Sequence, residues 1–277
     1  MKDKLAIITS SGGMKCSYSA GVLCAMAKIY NLRNPDILVG SSGSTGSLAY
    51  YLTGQYDSIQ NIWTNLLTSP LFISLSRVFK IMDIDYLVDT VFKQQDALDV
   101  EKIHKSKSRL FISATEYQTG KPKFFTNTDN IFEALRASKA IPVITGKKVI
   151  IDNVEYIDGS FGASLNINIE KAIKEGARNI IIINDKGGEM AFATKAFYIL
   201  YSFFTNKNIR KLLRRHCEPN HHLINPQKNI NMIIISPSRK LQIHSLDNKK
   251  QHLEESFSLG YEDLKNNQDF KIFFAQL

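Results

Sequence analysis

The sequence predicts an α/β fold, with a single three-layer α/β/α domain built around a mainly parallel central sheet. Short continuous apolar runs recur along the chain, as expected of strands that are covered on both faces. The strands predicted from these runs span residues 5–8, 37–39, 109–114, 179–183 and 231–235. The first two runs alternate with stretches of helical period, and strands that alternate with helices pair in parallel.

The length and composition are those of one globular domain. The 277 residues are enough for an α/β domain with a full core, and 44% hydrophobic with 22% charged residues is an ordinary composition. No internal repeat and no low-complexity linker interrupts the chain. We therefore predict one domain over residues 1–277, with its core motifs within residues 4–185.

The net charge of +9 favours anionic partners, such as a membrane surface, nucleic acid or an acidic substrate. No nucleic-acid-binding motif accompanies this charge, so we expect no nucleic acid among the partners. The three cysteines are an odd number without CxxC spacing, which suits a reducing compartment. No signal-peptide pattern and no apolar run of membrane-spanning length is visible, so we expect a cytoplasmic protein, with peripheral membrane association as an option.

Residues 57–105 are predicted to form a mostly helical insert between strands of the sheet. Apolar residues at helical spacing run through it in three groups. The middle group follows Pro70 and consists of Leu75, Val78, Phe79 and Met82. Such an insert either covers the active edge of the sheet or serves only as core packing, and the sequence leaves both interpretations open.

Turn and period signals predict the remaining elements. Asp152 and Asn153 separate two short apolar runs and predict a hairpin. Gly176 ends a predicted helix that begins near residue 169. Further helices are predicted at residues 18–30, 44–53, 130–138 and 246–267.

A cluster of glycine and serine at residues 40–44 joins the second predicted strand to the next helix. Strand, sharp turn and helix make the shape of a nucleophile elbow, usually written Gly-x-Ser-x-Gly. Gly40 and Ser42 fit the motif, but Ser44 stands where the second glycine would be. We favour Ser42 as the candidate nucleophile, with Ser44 as its rival because Gly46 follows it by two residues. The same residues also fit a plain turn or a phosphate-binding loop at a helix N-terminus.

A second glycine-rich turn, at residues 11–15, follows the first predicted strand and opens a helix. Its backbone N–H groups and the positive end of the helix dipole stabilise an anion, such as the oxyanion of an acyl-transfer intermediate. A nucleotide phosphate is the competing ligand, but neither GxGxxG nor GxxxxGK[ST] is present.

A serine nucleophile needs a base that takes its proton. No histidine follows an apolar strand with a small-residue loop, where a triad histidine is expected; the six are His104, His216, His221, His222, His244 and His252. Asp158 is the other candidate, because it follows an apolar run and precedes Gly159. Asp-Gly is also a favoured turn pair, so a plain turn is the alternative.

Together these motifs resemble those of the patatin-like phospholipases and related bacterial patatin-family esterases. The family's glycine-rich loop is similar to residues 11–16, its elbow to residues 39–44, and its Asp-Gly motif to Asp158 and Gly159. The approach to the aspartate, residues 135–142, is also similar. The resemblance covers about residues 4–54 and 109–185.

The resemblance implies a patatin-like fold and a lipid acyl hydrolase of the phospholipase A, lysophospholipase or esterase type. It implies that Ser42 attacks the ester carbonyl and that Asp158 is the base, in a Ser–Asp dyad without histidine. It also implies an oxyanion hole formed by the backbone N–H groups of Gly12, Gly13 and Met14, with no cofactor and no metal.

The chain departs from the family pattern at four positions. Ser11 and Cys16 replace loop glycines, Lys15 stands in place of the usual arginine, and Ser44 replaces the second elbow glycine. Side chains at such tight turns could disturb the elbow or the loop. The alternative is therefore a catalytically impaired protein of the same fold that acts as a membrane-surface binding or regulatory module. A Ser-Asp-His triad that uses His244 is a third hypothesis.

An apolar and aromatic stretch at residues 196–204 precedes a basic segment at 207–215. An apolar segment next to a basic one is the composition typical of a helix that lies on an anionic membrane. The alternative is a buried helix followed by an ordinary solvated basic helix. The expected partners are an acyl-ester lipid substrate and an anionic membrane surface contacted through Lys207, Arg210, Lys211, Arg214 and Arg215.

Overall fold

A mixed, mostly parallel sheet of eight strands forms the centre of the computed structural model, which describes residues 3–185, 192–218, 224 and 228–277. The predicted fold class is thereby confirmed. The strands are β1 (Lys4–Thr9), β2 (Ile37–Ser41), β3 (Arg109–Glu116), β4 (Pro122–Phe125), β5 (Val149–Ile151), β6 (Val154–Asp158), β7 (Ala177–Ile183) and β8 (Asn231–Ile235).

The strand order across the sheet is β5-β6-β3-β2-β1-β7-β8, and β4 pairs with β3 outside this path. Strands β3, β2, β1, β7 and β8 pair in parallel, which agrees with their continuous apolar runs. Strands β4 and β6 run antiparallel to β3. The predicted hairpin joins β5 to β6, and both of its turn residues, Asp152 and Asn153, have positive φ as this kind of turn requires.

The helices of the described residues lie between and beyond these strands. They are α1 (Ser17–Lys28), α2 (Ser44–Thr53), α3 (Tyr56–Thr64), α4 (Val100–Lys105), α5 (Ile131–Ala137), α6 (Pro142–Thr145), α7 (Gly159–Gly162), α8 (Leu165–Lys174), α9 (Phe192–Ser202), α10 (Lys207–His216), α11 (Lys250–Asn266) and α12 (Gln268–Phe274). Short 3₁₀ turns lie at Gly13–Cys16 and Leu66–Thr68, and a π-helix spans Tyr86–Gln95. Helix α12 is absent from the sequence predictions.

The two faces of the sheet are covered by different helices. Alternate residues of β1 point to opposite faces. Ile7 packs in the larger core with residues of α1, α2, α3 and α11, whereas Ala6 and Ile8 pack with Ile169 and Ala172 of α8. All three β1 side chains are fully buried. This accounts for the continuous apolar run at residues 5–8 within β1.

The insert at residues 57–105 differs from its prediction between α3 and the π-helix. Residues 69–83 are an irregular loop, so the helix predicted there from apolar spacing is wrong. Arg77 supplies the physical reason, because its Nη2 donates to the carbonyls of Phe72 and Ile81 at 3.0 and 3.1 Å. A side chain that binds backbone carbonyls in this way replaces the hydrogen bonds that a helix would make.

Helices α1 and α11 cross with their backbones in direct contact. A Cβ atom at Gly260 would lie 2.1 Å from the carbonyl oxygen of Tyr18, and one at Gly21 would lie 1.9 Å from that of Phe257. Neither position accepts a side chain unless a helix moves. This contact fixes the C-terminal part of the chain against the helix that follows the glycine-rich turn.

None of the helices within the described ranges combines the length and the apolar composition that a membrane crossing requires.

We predict that Gly260→Ala lowers the free energy of unfolding by at least about 1–3 kcal/mol, because the added methyl group forces two packed helices apart. Ser258→Ala, at an exposed position of the same helix, should change it by less than about 0.5 kcal/mol. Urea unfolding followed by circular dichroism measures both changes. Equal midpoints and slopes for the two variants would contradict the close helix contact.

Candidate active site

The strand register brings two predicted site residues to the same level of the sheet. Ser113 of β3 lies opposite Ser41 of β2, and the next residue, Ala114, lies opposite Asp158 of β6. Strand β4 pairs with Ser113 and Ala114 from the other edge of β3, so β2 and β6 follow one another along the same edge and Ser42 lies beside Asp158. The hydrogen bond from Ser42 Oγ to Asp158 Oδ2 is 2.6 Å long.

Ser42 occupies a strained turn between β2 and α2. Its φ is +59°, in the left-handed region that residues with a side chain rarely adopt. Its N–H donates to Ser138 Oγ at 2.9 Å, and its carbonyl accepts from Thr45 Oγ1 at 2.8 Å. Such a conformation between strand and helix is the geometry of a nucleophile elbow.

Ser44, the rival nucleophile, faces the protein interior. It is fully buried, its Oγ donates to Ser41 O at 3.1 Å, and it accepts from Thr9 Oγ1 at 2.8 Å. The structure therefore brings Ser42, and not Ser44, to Asp158. The hydroxyl of Ser44, which replaces the second elbow glycine, makes its hydrogen bonds inside the protein. The sharp turn at Ser42 forms despite this replacement.

Asp158 is a buried carboxylate at the end of β6, with 1% of its surface exposed. Oδ2 accepts from Ser42, and Oδ1 accepts from the backbone N–H and Oγ of Ser160 at 2.8 and 2.7 Å. Burial raises the pKa of Asp158, although the hydrogen bonds from Ser42 and Ser160 act in the opposite direction. Asp158 also caps the short helix α7 (Gly159–Gly162). The residue therefore has both roles considered above, since it begins a turn of the chain and also pairs with Ser42.

Residues 138–140 hold the serine and the aspartate in place, and sequence analysis missed this role. Ser138 Oγ accepts from the N–H of Ser42, and the carbonyl of Ala140 accepts from the N–H of Asp158 at 2.7 Å. The carbonyl of Ser138 accepts from the N–H of Gly159 at 3.1 Å. One short segment thus binds the backbone of both partners. These contacts are long-range, and only the family-like character of residues 135–142 pointed to the segment.

Lys139, in the same segment, is a buried cation beside the pair. It has 6% of its surface exposed, and its Nζ donates to Thr45 Oγ1 at 2.5 Å and to Leu135 O at 3.3 Å. Burial lowers the pKa of Lys139 to about 7, although the carboxylate of Asp158 favours the charged form. The sequence offered one indication that this lysine is buried, because it stands among small and apolar residues at 137–142.

The glycine-rich turn lies directly against the elbow. A Cβ atom at Gly43 would lie 2.6 Å from the carbonyl oxygen of Gly13, so only glycine permits this approach. Gly12 and Gly13 border the same cavity as Ser42. Among the described residues, no acceptor receives a hydrogen bond from either of their N–H groups. Both amides therefore remain candidates for an oxyanion hole.

Met14 does not fit its predicted place in the oxyanion hole. Its N–H donates to the carbonyl of Ser245 at 3.1 Å, so this amide already has an acceptor. Residues 244–246 come from far along the chain and border the cavity beside the glycine-rich turn. Neither segment carries a local sequence signal for the contact.

The other loop substitutions differ in their positions, since Ser11 borders the cavity and Cys16 does not. Cys16 is fully buried at the end of the 3₁₀ turn and packs toward Gly43, so its side chain fills the interior and not the cavity. Lys15 borders the cavity.

The described histidine side chains do not hydrogen-bond to Ser42. His104 lies beside the carbonyl of Asn127, and His252 Nδ1 lies 2.6 Å from Asp247 Oδ2. His244 borders the cavity, and its Nε2 is 3.8 Å from Asp247 Oδ2. The side chain of His216, and all of His221 and His222, lie outside the described residues.

A cavity of about 660 Å³ opens beside Ser42 and Asp158. This is the size range of small-molecule sites, and most of its wall is apolar. The insert provides much of that wall, through Ile59, Ile62, Trp63, Leu67, Phe72, Leu87 and Phe92. Most of these side chains also belong to the main hydrophobic core. Both interpretations of the insert therefore apply, since it covers the active edge of the sheet and also contributes to the core.

The apolar and basic segments near residue 200 expose much of their surface. On and after α9, Ile199 is 49% exposed, Leu200 62%, Phe203 60% and Phe204 78%, so α9 is not a buried helix. Helix α10 buries Ile209 and Leu213 against Ile157, Phe161 and Tyr201. Its opposite face is basic and exposed at Lys207, Lys211, Arg214 and Arg215.

Comparison with known proteins identifies the family. A family model described as "Patatin-like phospholipase" matches residues 7–173, which include both glycine-rich motifs and Asp158. The chain belongs to the patatin-like phospholipase family, and membership supports lipid hydrolase activity. A second model, for a domain of unknown function (DUF6363), matches residues 209–269.

Two individual proteins resemble the chain over most of its length. The uncharacterized protein YjjU of Escherichia coli (strain K12) is 22% identical over 271 residues, which cover 93% of this chain and 75% of YjjU. The crystal structure of VipD from Legionella pneumophila superimposes with a TM-score of 0.59 at 11% identity, over 99% of this chain and 67% of VipD. At that identity, the VipD match shows a shared fold alone.

Asp185, at the end of β7, lies beneath the glycine-rich turn and is 1% exposed. Its N–H donates to Ser10 Oγ at 2.9 Å, and its Oδ2 accepts from Ser19 Oγ at 3.1 Å. Burial raises the pKa of Asp185 to about 7. The folded protein therefore holds a proton on Asp185 that the unfolded chain loses near pH 4.

We predict that Asp185→Asn removes part of the pH dependence of stability. In the wild type, the contribution of Asp185 is greatest below pH 4 and is lost as the pH rises to about 7, with a slope approaching about 1.4 kcal/mol per pH unit. The difference in unfolding free energy between wild type and variant should follow this slope in urea titrations from pH 4.5 to 8. A difference independent of pH would refute the raised pKa.

Proposed function

We propose that the protein is a serine lipid acyl hydrolase that cleaves carboxylic esters with the pair Ser42 and Asp158. The observation that carries this proposal is the 2.6 Å hydrogen bond from Ser42 Oγ to Asp158 Oδ2, at the polar end of a largely apolar cavity. A serine is activated when a base within hydrogen-bond reach takes its proton. A buried carboxylate with a raised pKa is a better base at neutral pH than a solvated one.

In the first half of the reaction, Ser42 Oγ attacks the carbonyl carbon of the ester and passes its proton to Asp158. The N–H groups of Gly12 and Gly13 donate to the oxyanion that forms. The intermediate collapses, the ester C–O bond breaks, and the leaving alcohol takes the proton from Asp158. The acyl group is now bonded to Ser42.

In the second half, water attacks the acyl carbonyl carbon and gives a proton to Asp158. The bond from the acyl carbon to Ser42 Oγ breaks, and Oγ regains the proton from Asp158. A carboxylic acid is released. The apolar wall of the cavity suits the hydrocarbon chain of a lipid ester, because burial of that chain removes apolar surface from water.

The second candidate function is a catalytically impaired protein that binds a membrane surface. The hydrogen bond from the Met14 N–H to Ser245 O favours it, since one of the three amides implied by the family resemblance is already occupied. Removal of one oxyanion donor typically slows a reaction by roughly 100- to 1000-fold. The Met14–Ser245 contact alone therefore predicts slow hydrolysis and not a complete loss of hydrolysis.

We predict that Ser42→Ala and Asp158→Asn each lower kcat/KM for p-nitrophenyl acyl esters by at least about 1000-fold, because each removes one partner of the dyad. Ser44→Ala is the matched control, since it makes the same change two residues away, and it should retain activity within about tenfold. Initial rates over a series of chain lengths measure these effects. A wild type no faster than Ser42→Ala at every chain length would favour the impaired candidate.

We further propose that segment 207–215 contacts an anionic membrane surface. Its support is the exposed basic face of α10, next to the exposed apolar side chains Leu200 and Phe204. Each basic residue near such a surface contributes roughly 1 kcal/mol. Ile209 and Leu213 hold α10 on the protein, so its charged face stays outward.

We predict that replacement of Lys207, Lys211, Arg214 and Arg215 by glutamine abolishes most co-sedimentation with vesicles that contain anionic lipid. The attraction is electrostatic, so wild-type binding should weaken as salt rises. The control replaces four exposed lysines elsewhere, Lys105, Lys107, Lys265 and Lys271, and should bind as the wild type does. Indifference of the wild type to lipid charge would defeat this proposal.

A further inference from the structure

A separate exposed apolar surface lies in the loop at residues 69–83. Leu71 is 62% exposed, Leu75 68%, and Val78 and Phe79 83% each. Val143, 46% exposed, lies in the neighbouring turn, which meets the loop where the N–H of Met82 donates to Ile144 O at 3.0 Å. We call these five exposed side chains the apolar rim: Leu71, Leu75, Val78, Phe79 and Val143.

The loop that carries the apolar rim is held by many internal hydrogen bonds. Arg77 turns inward, and its Nη2 lies within 3.4 Å of the carbonyls of residues 70, 71, 72 and 81. The N–H of Ser74 donates to Ile81 O at 3.0 Å, and that of Asp83 donates to Phe72 O at 2.8 Å. Arg77 thus faces inward while its apolar neighbours face outward. This arrangement opposes the hydrophobic effect and needs a compensating partner.

The apolar rim is continuous with the wall of the cavity. Leu75 and Val143 are exposed to solvent and also border the cavity. Ile81 and Met82, from the base of the loop, extend the same apolar wall inward toward Ser42. An acyl chain could therefore move from the apolar rim into the cavity without crossing a polar surface.

We propose that the apolar rim inserts into the hydrocarbon region of a lipid surface and holds the mouth of the cavity against that surface. That the surface is a lipid surface follows from the proposed function, on which this inference rests. A cavity that binds acyl chains must face the lipids that supply them. Exposed aliphatic and aromatic side chains on a loop and the helix beside it are the kind of surface that inserts at the boundary between headgroups and acyl chains.

The charges beside the apolar rim allow this approach. Asp83 is the last residue of the loop and Asp85 follows it by two residues, and both pair with Lys80, at 2.9 and 3.3 Å. Asp85 pairs in addition with Lys147 at 2.8 Å. These carboxylates are thus compensated and do not repel anionic headgroups. Phe197 of α9 borders the same cavity, so the exposed side chains of α9 flank it from another direction.

The test is vesicle binding by Val78→Ser/Phe79→Ser, a double change that leaves all charges in place. The vesicles are made of ether-linked phosphatidylcholine and phosphatidylglycerol, which contain no carboxylic ester to cleave. We expect binding on the order of tenfold weaker than wild type, with the loss persisting in 0.5 M salt because apolar insertion is not screened. The matched control is Ile150→Ser/Ile272→Ser, whose side chains are 64% and 61% exposed, and it should bind as wild type does. Equal binding by wild type and Val78→Ser/Phe79→Ser would overturn the proposal.

A second measurement reports insertion itself. Phe79→Trp should show a blue-shifted emission on binding and quenching by lipids brominated in the acyl chain, after subtraction of the signal from the buried Trp63. Emission that stays unchanged while the protein sediments with vesicles would overturn the proposal.

Ether-linked lipids keep this proposal separate from the catalytic one. If esters are not hydrolysed but Val78→Ser/Phe79→Ser still loses vesicle binding, the catalytic proposal fails and the apolar rim remains. A wild type that dimerises in sedimentation equilibrium, with a monomeric Val78→Ser/Phe79→Ser that binds vesicles normally, would assign the apolar rim to a second copy of the chain and overturn the lipid proposal.

Discussion

The hydrogen bond between Ser42 and Asp158 is the contact on which the rest of the site depends. It forms because β2 and β6 pair in a fixed register with consecutive parts of one edge of β3, which places the two residues side by side at the end of β2. Residues 138–140 then bind the backbone of both partners. A shift of either strand by one residue would turn these side chains to opposite faces of the sheet. The parallel sheet and its buried core therefore serve to hold two side chains 2.6 Å apart.

The surroundings of this contact combine charge with apolar burial. Asp158 and Lys139 are both buried, and burial disfavours the charged form of each, so the pKa of Asp158 rises and that of Lys139 falls to about 7. The raised pKa of Asp158 makes this carboxylate a stronger general base than a solvated one. Beyond these groups the cavity is apolar, and the insert that shapes it ends in the exposed apolar rim. The proposed sites of chemistry, acyl-chain binding and surface contact therefore lie along one path through the molecule.

Local patterns predicted the parts of the fold that local physics determines. The apolar run of β1, the helix that follows Ser42 and the Asp152-Asn153 hairpin each carry a short-range signal. Apolar spacing failed at residues 69–83, because the same period arises where exposed side chains project from a loop held by Arg77. The contacts of residues 138–140 and the Met14–Ser245 hydrogen bond join distant segments, and no local pattern encodes them. The order of three motifs along the sequence pointed to Ser42 and Asp158. The residues that hold these two in place could be identified only from the structure.

The most direct test of the central claim is the site at which a fluorophosphonate reagent labels the protein, read by tryptic mass spectrometry. An activated serine forms a covalent bond with such a reagent, whereas a serine without a base does not. The account predicts a single label on Ser42 in the wild type, retained in Ser44→Ala and strongly reduced in Asp158→Asn. A label on Ser44, or no label on the folded wild type, would contradict it.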